Sequence, residues 1–194
     1  MSGDREPRER ASRERAPRER APRDRDLSGR PRNARPRDGL GRPLARDVSQ
    51  QSGGVGQDRI PDDLVITGRD AAVLADQLLL DGRPFHAHEV LEAAWKTGPP
   101  GERDLWQGLA QIAVGLTHAR RGNARGAITL LRRGTQRVRA ADGPGPSGCD
   151  PHPYGMDIPA VLAAAEDLAA RIEQHGLDHI PLADLSPRLL SGAM

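Results

Sequence analysis

Residues 84–120, PFHAHEVLEAAWKTGPPGERDLWQGLAQIAVGLTHAR, decide the fold. They predict two helices broken by Thr97-Gly98-Pro99-Pro100-Gly101. The first is expected from Pro84 to Lys96, since a proline suits the opening turn of a helix. The second is expected from Glu102 to Arg121. Glu102 and Asp104 open it and Arg120 and Arg121 close it, as the helix dipole prefers. On the second helix Leu105, Leu109, Ile112 and Leu116 form one apolar stripe, with Trp106 and Ala113 at its edge. Gln107, Gln111 and His118 line up on another face. On the first helix Ala87, Val90, Leu91 and Ala94 make the apolar side, and His88 and Trp95 lie at its boundary. His88 and Glu92 are i, i+4 neighbours, and Glu89 and Glu92 are i, i+3. Antiparallel packing of the two helices would let this cluster approach Gln107, Gln111 or His118.

The order and spacing of FHAHEVLEAAW, ERDLWQGLAQIAVGLTHARRGN and GAITLLRRG resemble the bacterial helical family called domain of unknown function 309. The resemblance extends over roughly residues 69–170. It places the family's polar pattern on His88, Glu89, Glu92, Trp95, Arg103, Gln107, Gly108, Gln111 and His118. It implies a compact helical bundle and no particular activity.

Outside the hairpin, helices are expected from Thr67 to about Leu80, from Ala124 to about Ala140 and from Ile158 to His175. Thr67-x-x-Asp70 resembles a capping box. Gly122-Asn123 reads as a stop followed by an N-cap, and Asp157 as the N-cap of the last helix, which Gly176 stops. The expected core residues include Val73, Leu74, Leu78 and Leu79 on the first of these helices. They include Ala127, Leu131, Gly134 and Val138 on the second, and Ile158, Val161, Ala165, Leu168 and Ile172 on the third. Residues 177–194 are apolar enough to strap onto the bundle. The fold class is therefore all-α, about five helices over 60–190, behind a disordered tail of residues 1–59.

That tail repeats PRERA, SRERA, PRERA, PRDR over residues 7–25. Prolines break any helix there, and the alternating Arg and Glu keep the chain hydrated. Charge is segregated: residues 1–59 hold 16 Arg against 10 acidic residues, and residues 60–194 hold 13 basic against 17 acidic. The tail reads as a solvated polyampholyte, with tethering to nucleic acid through phosphate contacts as the alternative. It has no aromatic residue on which a base would stack.

The one cysteine, Cys149, excludes an internal disulfide and fits a reducing compartment. No apolar run approaches the ~18 residues of a membrane span, so the cytoplasm is expected. Cys149-x-x-His152 has the spacing of half a zinc site but lacks a second cysteine.

Three readings of the hairpin follow. The polar residues satisfy one another inside the bundle. Alternatively, His88, Glu89, Glu92 and His118 hold a divalent ion, with Glu92 or a metal-bound water driving hydrolysis. As a third, the hairpins dimerise or dock a protein segment near Trp95 and Trp106, resembling tetratricopeptide hairpins in packing alone. No catalytic motif is matched: there is no His-Glu-x-x-His, no phosphate loop and no nucleophile elbow. The expectation is a non-catalytic cytoplasmic binding or scaffold domain, with the metal-dependent hydrolase as the alternative. No cofactor or named partner follows from the residues.

Overall fold

The computed structural model describes residues 38, 40, 42, 60, 61, 63–141 and 153–191. The disordered tail expected over residues 1–59, those three positions apart, and the Cys149/His152 pair lie outside the described residues.

Five α-helices run in order: α1 Gly68–Leu80, α2 Pro84–Thr97, α3 Arg103–Arg120, α4 Ala124–Ala141 and α5 Ile158–His175. The architecture is all-α, and each helix packs mainly on the next in sequence. Among the described residues the extended pairing is one isolated bridge, Met156 to Leu190.

Local chemistry sets the helix ends. Thr67 Oγ1 accepts from the Asp70 N–H at 3.2 Å and donates to the Asp70 carboxylate at 2.7 Å. Pro84 opens α2, where its missing N–H has no helical partner to lose. Asn123 Oδ1 caps α4 through the Gly126 N–H at 2.9 Å, and Asp157 Oδ1 caps α5 through Ala160 at 3.1 Å. The α3–α4 corner needs a left-handed residue, which Gly122 supplies at φ +79°.

The core joins all five helices. Leu91, Leu109, Ile112, Leu116, Leu131 and Leu168 are buried in it with Trp106, which is 1% exposed. Two details differ from the sequence expectation. Trp106 belongs to the core while Leu105 is half-buried, because the buried arc of α3 is wide enough to touch both α2 and α4. Val73, expected inside, is 47% exposed, since α1 packs through Ala71, Ala72, Ala75, Leu78 and Leu79.

The backbones of α3 and α4 cross in direct contact. A Cβ placed on Gly108 would stand 2.8 Å from the Gly134 carbonyl, and one on Gly134 would stand 2.7 Å from the Gly108 carbonyl. Small residues at both positions let the backbones touch, which outweighs the loss of about 1 kcal/mol in helix propensity per glycine.

The C-terminal segment straps the bundle as expected. Ile180, Leu185 and Leu189 are buried. The Asp157 N–H donates to the Leu189 carbonyl at 2.8 Å, and the Ser191 N–H to the Gly155 carbonyl at 3.0 Å.

Candidate functional site

The polar residues of the hairpin divide into two groups. On α2, His88 and Trp95 are seven residues apart and share one side of the helix. His88 Nε2 stands 3.6 Å from Glu92 Oε2, and Lys96 Nζ holds the other Glu92 oxygen at 2.9 Å. Burial pushes the His88 pKa below the ordinary imidazole range; the Glu92 carboxylate opposes that shift and Lys96 adds to it. Phe85 meets the His88 ring edge-on, with centroids 6.2 Å apart. Glu89 is half-buried on the same helix.

The polar atoms of the hairpin that are shielded from solvent without a hydrogen-bond partner among the described residues include Arg120 Nε and three on uncharged groups. The three are His88 Nδ1 and Trp95 Nε1 on α2 and Gln111 Oε1 on α3. Leaving such atoms unmade costs about 1–3 kcal/mol each.

The second group faces α4. Arg137 of α4 donates to Gln107 Oε1 and, at 3.0 Å, to Asp104. His118 Nδ1 lies 2.7 Å from the Asn123 side-chain nitrogen, beside the N-terminus of α4. Arg103 is exposed at the start of α3. His118 thus serves the α3–α4 corner, away from the His88–Glu92 pair. Among the described residues no group of three or more His, Cys, Asp or Glu side chains is placed to hold a metal ion. The four-ligand set of His88, Glu89, Glu92 and His118 is therefore not assembled.

A third cluster has no counterpart in the sequence reading. Glu102, just ahead of α3, accepts from Trp106 Nε1 at 2.9 Å and from the Tyr154 hydroxyl at 2.6 Å. The Trp106 and Tyr154 rings lie 5.5 Å apart. Burial, then the bond to Glu102, pushes the Tyr154 pKa up to about 12. Tyr154 has φ +60°, a left-handed backbone that a side chain rarely adopts. Both carboxylate oxygens of Glu102 are engaged, so this cluster clamps the chain ahead of α5 onto α3. The one signal in the sequence is that Tyr154 is the chain's single tyrosine.

The second half of α1, the whole α2–α3 hairpin and the cap and first turns of α4 lie within a match to a known sequence family. Residues 74–130 match Domain of unknown function (DUF309). This is shorter than the 69–170 suggested by motif spacing, and it stops within α4. The chain is also similar to Uncharacterized protein YpuF of Bacillus subtilis (strain 168), 42% identical over 57 residues. That alignment covers 29% of this chain and 33% of YpuF, so the chain spans about a third of that relative's length. No solved structure matches the chain. The DUF309 match contains His88, Glu92, Trp95 and Gln111 and leaves out Tyr154 and the C-terminal strap.

Proposed function

We propose that the bundle is a non-catalytic binding domain of the cytoplasm that holds a protein partner along the His88–Trp95 side of α2. The observation carrying this reading is the set of shielded, unpartnered atoms His88 Nδ1, Trp95 Nε1 and Gln111 Oε1.

Their chemistry specifies what would satisfy them. The indole N–H of Trp95 is a donor only, so its partner brings an acceptor. Glu92 lies on the Nε2 side of His88 and favours the proton there, which leaves Nδ1 an acceptor. Gln111 Oε1 is an acceptor as well. A protein main chain supplies N–H and C=O groups at regular spacing. The seven-residue separation of His88 and Trp95 is about 10 Å along the helix, the span of roughly three extended residues. The His88 side chain is 26% exposed, so part of this side of α2 is open to a partner. The lone cysteine fits a reducing compartment. No described helix is long and apolar enough to cross a membrane.

The test begins with capture by the immobilised full chain. The retained protein is identified, purified and titrated against wild type and Trp95→Phe, which keeps a ring and removes the N–H. About tenfold weaker binding is expected, equivalent to ~1.4 kcal/mol. Equal affinity of both forms would overturn the assignment of the site.

A further inference from the structure

The corner between α3 and α4 holds a contact that none of the bundle's own packing requires. Arg121, at the C-cap of α3, directs Nε at the Leu40 carbonyl oxygen at 2.9 Å, and its Nη2 donates to the same oxygen. Leu40 lies 81 residues earlier in the chain. Among the described residues, Leu40 is tied to Asp38, and Asp38 to Arg42. Asp38 Oδ1 accepts from the Leu40 N–H at 3.0 Å and from the Arg42 N–H at 2.7 Å. The Asp38 N–H returns a bond to the Arg42 carbonyl at 3.0 Å.

The arrangement divides the work cleanly. The Asp38 carboxylate takes the Leu40 and Arg42 N–H groups, as aspartate does in self-bonded turns, while the Leu40 carbonyl accepts from Arg121. A guanidinium presents its N–H groups in a rigid fork, and here two of them converge on that oxygen. Each such charge-assisted bond is stronger than a bond between neutral groups. Arg121 and Leu40 are both partly buried, so water competes less for the contact than on an open surface.

We propose that the Arg121 guanidinium is a docking site for the Leu40 carbonyl of this same chain, held between Asp38 and Arg42. The occupant is fixed by the chemistry on both sides: a residue whose own N–H is taken by Asp38 and which offers its carbonyl, and a cation that offers two donors. This inference is independent of the His88–Trp95 site, which lies on α2.

Thermolysin cleavage of the Gly39–Leu40 bond in the full chain, timed by mass spectrometry, tests it. Cleavage of a docked segment follows its opening equilibrium. Arg121→Gln removes the site and Asp38→Ala removes the carboxylate that holds the Leu40 and Arg42 N–H groups, so each is expected to speed cleavage before Leu40 about tenfold. The double variant is expected to be no faster than either single one. Cleavage before Leu131, inside α4, is the internal control. If Arg121→Gln raises it, the helices have loosened and Asp38→Ala alone carries the comparison. An unchanged rate before Leu40 in Asp38→Ala, or a double variant as fast as the product of the two effects, would overturn the docking.

Discussion

The Leu189 main-chain N–H donates to the buried Asp76 carboxylate at 2.6 Å, across 113 residues of sequence. The Leu190 N–H joins the same oxygen at 3.2 Å. Asp76 is 6% exposed on α1, so two backbone donors of the C-terminal strap end on one interior acceptor. A carboxylate taking backbone N–H groups is among the stronger hydrogen-bond arrangements. It fixes where the strap crosses the bundle, and Leu185 and Leu189 fill the core on either side.

Asp76→Ala is therefore expected to lower unfolding stability by about 2 kcal/mol, because donors of the strap lose their acceptor while buried. Asp76→Asn keeps an acceptor oxygen and is expected to lose less. Urea unfolding of both variants checks this; equal stability of Asp76→Ala and wild type would show that the strap is held by its apolar side chains alone.

Gly108→Ala is expected to destabilise, although alanine favours a helix by about 1 kcal/mol over glycine. The added methyl would press on the Gly134 carbonyl at 2.8 Å, and backbone cannot step aside as a side chain can. Overpacking of this kind costs about 1–3 kcal/mol. A net loss of stability in thermal unfolding is the expected outcome; a gain would mean that α3 and α4 can separate without penalty.

Tyr154, as the single tyrosine, gives an unobstructed titration by ultraviolet absorbance. Its phenol is expected to ionise near 12 in the folded protein and near the usual value of about 10 once unfolded. The folded state holds the proton more tightly, so this group's contribution to stability is complete below pH 10 and is lost as pH rises toward 12. Glu102→Gln removes the charge next to the hydroxyl and is expected to bring the midpoint down. An ordinary phenol titration in the native protein would contradict the Glu102 clamp.

His88 acts in the opposite direction. Burial lowers its folded pKa below the unfolded value near 6.5, so the unfolded chain binds the proton first. Its contribution to stability is present above about pH 6.5 and declines as pH falls through the folded value. Wild type is expected to lose more stability than His88→Gln between pH 7 and pH 5, read as the shift in urea midpoint. Parallel pH profiles for the two proteins would remove the burial argument.

The hairpin and its caps are legible in the residues alone. Pro84, Gly122-Asn123 and Asp157 mark helix ends by chemistry that acts within four residues, and the 3.6-residue period put Ala127, Leu131, Gly134 and Val138 on one buried face. The same period placed His88 and Trp95 at the boundary of α2, where they are half-buried.

What the chain alone left open was which neighbour each face would meet. A helical pattern sets a side chain's direction around its own axis, but the crossing of α3 on α4 comes from the Gly108–Gly134 approach, a contact between the backbones of two separate helices. That crossing turns Gln107 toward Arg137 and His118 toward Asn123, while His88 stays with Glu92 on α2. The Asp76–Leu189 and Glu102–Tyr154 bonds likewise join groups 113 and 52 residues apart. Helix identity follows from short-range propensity and capping. The polar partnerships follow from packing, because only the closed core decides which carboxylate a distant donor will find.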